Sequence, residues 1–453
     1  MILFFKPNSN FIIPIEDDIL VVRSLKDFIE RNAESTSYDC SSTRDAYASL
    51  VENNPIFTRW QSDLTTFNIT IPILAFEISR IVKYLKDKNV KVVIFSSAIA
   101  HHIESTVFAI ACKIACVKQL FLYCNIAGGG IIPILHEYDI FSRRVINHGM
   151  GDFCENQIRF DDFCNRFKEN LPPKINTVVT NRRKSYLLGT ILLLKILLIK
   201  FLVTCKNITK PVCLWEEKWS GLAEIRCMLR QRTALSFYQK HVQTLDLQPN
   251  FNVIIAAHFQ PEATSFPEGG NFFNHGFIVD EIYHKCGSNM RIAYKEHPTS
   301  VMVYENIHRL TRVGNQRSKE YYQSLIHRGV TFVDSSENLI DMVKKDGVFP
   351  VTITGSLVLE LCLQGYRVVI AGEPWYKDIP GSIHLKDLDN IDLSSMKNLK
   401  SEIISREAKS WIKHKILPNQ LENPLGISDL RYGDKQKFSR QIIEICRNIE
   451  FYD

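Results

Sequence analysis

Several common functions are excluded by what this sequence lacks. Its twelve cysteines contain no C-x-x-C pair, so no zinc ribbon or dithiol redox centre is encoded at recognisable spacing. The two nearest, Cys112 and Cys116, fall one turn apart on a helix-like stretch. They read, with the others, as reduced thiols packed as small hydrophobes. The first residues, Met1 to Asn8, lack a basic n-region, a long apolar run and a small-residue cleavage site, unlike a secretory signal, so a cytoplasmic protein is expected. A net charge of +6 over 453 residues is small, and no RNP, zinc-finger or basic-zipper pattern accompanies it. Nucleic acid is therefore not an expected partner. Long uncharged apolar runs are also missing. The best candidate, 185–205, holds Lys195 and Lys200 in its interior, each costing about 2.5–3.5 kcal/mol on insertion scales.

What is present is an alternation of short apolar runs and amphipathic stretches. In the first half, 2–5 reads as a strand, 75–88 as a helix, 90–95 as a strand, 97–115 as a helix and 118–124 as a strand, after which Gly128, Gly129 and Gly130 open a loop. Between 251 and 371 the same β-α order returns. This order implies parallel sheets, and 453 residues suit two or three domains. The expected fold class is α/β, with two facing Rossmann-type domains and a cleft between them. The expected divisions are an acceptor-side domain over 1–170, a basic and apolar helical insertion and linker over 171–248, a nucleotide-binding domain over 249–400, and a helical tail over 401–453 that crosses back to the first domain. The insertion is unlike the rest: 171–240 carries thirteen Lys/Arg against three Glu. Its 185–205 stretch reads either as a buried domain helix or as a helix at a membrane surface, its lysines snorkelling to headgroups; a transmembrane span is the poorest fit.

Chemistry gathers where strands of the second half end. The runs 252–257, 290–294, 348–353 and 367–371 are followed by His258-Phe259-Gln260-Pro261-Glu262, Lys295-Glu296-His297-Pro298, Thr354-Gly355-Ser356 and Gly372-Glu373-Pro374-Trp375-Tyr376. In open α/β sheets ligands bind beyond the carboxyl ends of the strands. Thr354, Gly355 and Ser356 precede a helix-like run, a geometry that suits phosphate. Glu360 falls one turn on, in position to accept from ribose hydroxyls. Lys295 supplies charge. His297 is placed to donate to a phosphate oxygen or to protonate a leaving group. Gln260 joins the binding set, and Glu262 and Glu268 are two carboxylates of one loop, suited to a base or to stabilising a cationic sugar transition state. His101, His102 and Glu104 occupy the matching loop of the first half. Neither they nor Asp387-Leu388-Asp389 form a convincing metal cluster, so no metal is expected.

The set Gln260-Pro-Glu-Ala-Thr with Pro267-Glu-Gly-Gly, Tyr294-Lys-Glu-His-Pro, Ile353-Thr-Gly-Ser with Glu360 and Gly365, and Gly372-Glu-Pro-Trp-Tyr resembles the bacterial capsule polysaccharide biosynthesis family. That family includes Kdo transferases and is distantly similar to sialyl- and polysialyltransferases. The match is specific over 252–376, weaker over 93–123 and negligible over 174–240. The resemblance implies a GT-B fold, with the sugar nucleotide held mainly by the second domain. It implies that His297, Thr354 and Ser356 contact donor phosphate and that Glu360 is a donor-side acid. It further implies a CMP-activated acidic sugar as donor and neither metal nor cofactor beyond it. The chain departs from the sialyltransferases in lacking an early acidic-acidic-Gly motif, which leaves the identity of the catalytic base open; the candidate catalytic residues are His297, Glu262 and Glu268.

The expected activity is transfer of a sugar from a nucleotide sugar to a glycan or lipid-linked acceptor. The alternatives are a non-catalytic glycan- or nucleotide-binding component of polysaccharide export, and a sugar-nucleotide epimerase on the same fold. The basic insertion adds an expected location, peripheral on the inner face of the membrane, because each basic residue near an anionic surface contributes about 1 kcal/mol. The full chain should therefore float with vesicles rich in anionic lipid at low salt and be partly released at high salt. If it ignores such vesicles, 185–205 is a core helix and the basic surface serves another purpose.

Overall fold

The computed structural model describes residues 2–5, 19–22, 28, 40–52, 64–95, 103–124, 131–136, 143–145, 198, 230, 233–242, 251–258, 268–301, 317–391, 393 and 397–413. The chain divides into two compact units. One comprises Met1–Phe57, Leu64–Arg166 and Ser410–Asp453; the other comprises Thr58–Asp63 and Phe167–Lys409.

The first unit carries a six-stranded sheet in the order β2-β1-β3-β4-β5-β6. Its strands are β1 (Ile2–Phe5), β2 (Ile19–Val22), β3 (Val92–Phe95), β4 (Lys118–Cys124), β5 (Ile131–His136) and β6 (Arg143–Val145). The first four run parallel, as the β-α alternation implies. β5 turns back antiparallel against β4, and β6 pairs antiparallel with β5, so the sheet is mixed at one edge. The alternation stops at β4, and without an intervening helix a strand returns antiparallel. Among the described residues this unit has the helices α1 (Cys40–Glu52), α2 (Leu64–Asp87) and α3 (Ile103–Ala115). α2 begins eleven residues before the expected 75. Pro72 lies inside it, and proline removes a helical hydrogen bond, which is why the pattern reads as a start just after it. β3 is wholly buried, and its Phe95 stacks on Phe121 of β4 with ring centroids 4.4 Å apart.

The second unit is built on an all-parallel sheet in the order β12-β11-β10-β7-β8-β9. Its strands are β7 (Val253–Ala256), β8 (Ile292–Lys295), β9 (Thr331–Val333), β10 (Phe349–Thr352), β11 (Val368–Ile370) and β12 (Ser382–His384). Read from β9, this is the 3-2-1-4-5-6 order of the dinucleotide-binding fold, with its switch point between β7 and β10. Helices α4 (His275–Cys286), α5 (Lys319–His327), α6 (Leu339–Asp346) and α7 (Leu357–Leu363) make the crossovers, and α8 (Glu402–Lys413) follows the sheet.

The core explains why these strands read as unbroken apolar runs. Val253, Ile255, Ile292 and Tyr294 join one buried cluster, whereas Ile254 and Ala293 join another with Met342 and Val348. Successive strand residues face opposite sides, and a sheet covered on both sides buries both. Each fully buried Val, Ile or Phe is worth about 1.5–3 kcal/mol against exposure. Pro350 sits in the central strand β10 without breaking it. It pairs only with β7, because the ladder to β11 begins at Val351.

Gly365 ends α7 with φ of +93°, and a Cβ there would lie 2.3 Å from the Ser401 carbonyl oxygen. Ser401 N in turn donates to Gly365 O at 2.8 Å. Gly365→Ala meets both a left-handed φ and a backbone clash, so it should cost about 1–3 kcal/mol, the range for overpacking. Urea denaturation checks this; a change within about 0.5 kcal/mol, the surface-substitution range, would mean the α7–α8 approach is looser.

Candidate functional site

At the switch point the carboxyl ends of β7, β10 and β11 are locked together. His258, just past β7, is 4% exposed. Its Nε2 accepts from Thr354 N at 3.1 Å and lies 3.3 Å from Thr354 Oγ1. An amide N–H only donates, so Nε2 carries the lone pair and the neutral ring holds its proton at Nδ1. Gly355 N donates to Thr352 Oγ1 at 3.3 Å, and the Tyr376 hydroxyl donates to Thr354 O. Two N–H groups of the Thr354-Gly355-Ser356 turn are thus used within the protein. Gly372 is required by close approach: a Cβ there would lie 2.8 Å from Glu268 O and 2.9 Å from Ile353 O. Glu373 N donates to the same Glu268 carbonyl at 2.8 Å.

Ser356 starts α7, but its side chain makes no capping hydrogen bond. The hydroxyl instead donates to Glu360 Oε1 at 3.0 Å. With its proton committed there, Ser356 presents lone pairs outward, which suits a ligand hydroxyl better than a phosphate oxygen. Burial raises the Glu360 pKa, opposed by the Ser356 hydrogen bond. At seven residues α7 is also a weak dipole.

β8 ends in a buried polar network. Glu296 is fully buried. Its Oε2 accepts from the Tyr294 hydroxyl at 3.0 Å, the Tyr322 hydroxyl at 2.8 Å and Arg317 Nε at 3.2 Å, while Oε1 accepts from His297 N at 3.0 Å. The Glu296 N–H donates to the Tyr238 hydroxyl at 3.0 Å. Arg317 is 2% exposed, and its guanidinium lies 4.8 Å from the centroid of the Tyr321 ring. The structure turns Lys295 to a strapping role between strand ends, with Nζ donating to Ser335 O at 2.8 Å. Burial pulls its pKa down to about 8 against the nearby carboxylates Glu296, Asp334 and Glu337.

Both histidines of this edge are held neutral. Burial pushes His297 down to about 4; Glu296 opposes the shift and the Lys295 charge reinforces it. Burial likewise pushes His258 down to about 4, reinforced by His297 and Arg317.

The edge therefore brings Lys295, His297, Thr354, Gly355, Ser356, Glu360 and Glu268 onto the ends of neighbouring strands, with Glu268 only 5% exposed. Gln260 and Glu262, like His101, His102 and all of the 185–205 stretch except Leu198, lie outside the described residues. Among the described residues no group of three or more His, Cys, Asp or Glu is arranged for a metal, and no helix is long and apolar enough to cross a membrane. Of the Asp387-Leu388-Asp389 pair, Asp389 takes Lys285 Nζ at 2.5 Å and so ties α4 to the turn Leu385–Asn390.

The sequence matches no family model and no curated protein. Among solved structures the chain is similar to the UDP-GlcNAc 2-epimerase of Methanocaldococcus jannaschii, at 12% identity over 82% of each chain and a TM-score of 0.24. It is similar also to the crystal structure of the Methanocaldococcus jannaschii UDP-GlcNAc 2-epimerase in complex with UDP-GlcNAc and UDP, at 12% identity over 83% of this chain and 81% of that one, with a TM-score of 0.22. Likeness at this level says nothing about the activity of this chain.

Sequence reasoning missed His258, Glu296, His275 and Arg317 as parts of the site. His258 and Glu296 stand inside the quoted motifs, and their position directly after a strand was the available signal. Nothing local marks His275 or Arg317.

The buried His258 and the half-buried His297, alongside the buried His275, whose pKa also lies well below its ordinary value, make stability depend on pH. The first two rings protonate near 6.5 when exposed and near 4 in the fold. Between these values the unfolded chain binds more protons. The contribution is complete above pH 6.5 and is lost as pH falls toward 4, on the order of a few kcal/mol in all. Urea unfolding at pH 7 and pH 4.5 should show this loss, and His297→Ala should reduce the difference. An unchanged difference in the variant would mean that His297 is solvated.

Proposed function

We propose that this chain is a glycosyltransferase that moves a sugar from a nucleotide sugar to a glycan or lipid-linked acceptor in surface-polysaccharide assembly. The observation that carries the reading is the meeting of the Ser356–Glu360 pair and His258-bound Thr354 at the switch point between β7 and β10, where this fold class holds nucleotides. Ser356 and Glu360 suit the ribose hydroxyls of the donor. His297, neutral at pH 7, suits an N–H donor to a phosphoryl oxygen. Its hydrogen bond steadies the charge that gathers on the departing nucleotide. Glu268, and Glu262 of the same loop, are the carboxylates available as base. An acidic sugar carried on CMP is the proposed donor, after the motif resemblance, with no divalent metal in the reaction.

A thermal-shift screen of CMP, UDP, GDP and their sugars tests the site first, since a ligand at 100 times its Kd adds about 2.7 kcal/mol. In calorimetry His297→Ala should weaken the nucleotide that binds by about 1.5–3 kcal/mol, the range for losing a hydrogen bond to a charged group, and Ser356→Ala by about 0.5–1.5 kcal/mol, the range for a neutral one. Unchanged affinity in both variants sinks the assignment. Product analysis with and without acceptor then separates transfer from epimerisation of the free donor. Activity that EDTA removes and Mn²⁺ restores counts against the metal-free scheme.

A further inference from the structure

Among the described residues, three buried nitrogens near the ends of β7 and β8 have no hydrogen-bond partner: His258 Nδ1, His275 Nε2 and Arg317 Nη2. Their residues are 4%, 0% and 2% exposed. Leaving a buried donor unpaired costs about 1–3 kcal/mol, more for a charged group, so three in one region require an explanation. They belong together. His275 Nδ1 lies 2.5 Å from the Tyr321 hydroxyl, and the Arg317 guanidinium lies over the same Tyr321 ring. Ala257 N donates to Lys295 O at 2.9 Å, which sets His258 beside Glu296, the carboxylate that holds Arg317 Nε, and the His275 ring centroid lies 5.6 Å from that of Tyr294 on the same strand end.

All three atoms can act as donors. His258 carries its proton at Nδ1 because Nε2 accepts from Thr354 N. The Tyr321 hydroxyl, 2.5 Å from His275 Nδ1, can give its proton to that nitrogen; the tautomer with the His275 proton at Nε2 is part of the proposal. Arg317 has only donors. His275 is also the first residue of α4, a twelve-residue helix. The side chain of Asn274 caps Gly276 N at 3.0 Å, so what this helix end adds is its positive field.

We propose that His258, His275 and Arg317 form an oxyanion pocket beneath the carboxyl edge of β7 and β8, which takes a phosphoryl or carboxylate group of the bound ligand. Two neutral imidazole N–H groups and one guanidinium N–H match the lone pairs of such a group. Glu296 already holds Arg317 through Nε, so the guanidinium stays oriented without giving up Nη2. A lone metal cation is repelled by the same atoms. The identity of the ligand rests on the nucleotide-sugar reading, which offers two sources, the phosphates of the donor and the carboxylate of an acidic sugar. The pocket itself does not rest on that reading.

The test is calorimetric titration of the full chain with inorganic diphosphate, inorganic phosphate and glucuronate at low salt. Binding of the phosphates alone assigns the pocket to the donor phosphates, and binding of glucuronate alone assigns it to a sugar carboxylate. If none binds at millimolar concentration, the proposal is overturned. His275→Phe should weaken the anion that binds about tenfold, as expected for one lost hydrogen bond to a charged group. His275→Gln, whose side-chain NH₂ replaces the Nε2 donor, should restore most of the affinity. Equal affinity in wild type and a folded His275→Phe overturns the pocket. Should that variant not fold, the ring ¹⁵N shifts of His258 and His275 in the wild type must move on adding the anion, and static shifts overturn the proposal equally. Diphosphate binding without any nucleotide binding would remove the transferase reading and leave the pocket. Nucleotide binding undiminished by His275→Phe would do the reverse.

Discussion

One buried carboxylate organises the second unit. Glu296 has no access to solvent, and an ion in that position is costly unless it is paired and fully hydrogen-bonded. Arg317 supplies the opposite charge, and two tyrosine hydroxyls and the His297 N–H supply the rest. These partners come from β8, α5 and the residue that leads into α5. Tyr238, from the helical stretch 233–241, closes the set from the main-chain side. Removing either ion would leave the other uncompensated, a loss of about 3–5 kcal/mol in comparable cases. Such a network adds little net stability over apolar packing, yet it defines one arrangement of the strand end that carries His297.

Around that network the chemistry of the edge follows from burial more than from charge. His258 and His297 are neutral at pH 7 because desolvation outweighs their neighbours. Lys295, the most evident cation of the motif, is drawn inward to the Ser335 carbonyl. Ser356 spends its proton on Glu360. The edge therefore offers oriented neutral donors, one buried guanidinium and a hydroxyl–carboxylate pair. It is not a field of surface charge. That combination recognises a ligand by hydrogen-bond geometry in a water-poor place, where each bond is stronger than in water.

Much of the second unit was legible in the sequence. The apolar runs 252–257, 290–294, 348–353 and 367–371, each followed at once by a polar, proline- or glycine-marked turn, coincide with the strands β7, β8, β10 and β11, of which β8 runs one residue further, to Lys295. β9 and β12 were not legible, because three residues are too few for a periodicity to declare itself. In the first unit the helix α2 was cut short in the reading by Pro72, and β2, β5 and β6 were not anticipated. Of the site, His297, Thr354, Gly355 and Ser356 stood out because each lies just past a strand end, and Glu360 because it falls one turn after Ser356 on the helix that follows.

The sequence by itself determined the β-α alternation, the strands of the central sheet and the loops that carry polar side chains, since strand and helix periodicity and turn chemistry are local properties. Only the tertiary structure decided the order β9-β8-β7-β10-β11-β12 that makes the space between β7 and β10 a switch point. It alone decided that Arg317 meets Glu296 twenty-one residues away, that Thr354 N finds His258 across ninety-six, and that His275 meets Tyr321 across forty-six. The reason is the same in each case. A buried polar atom must find a partner wherever the packed chain brings one, and which residue that is depends on crossover paths that no local pattern records.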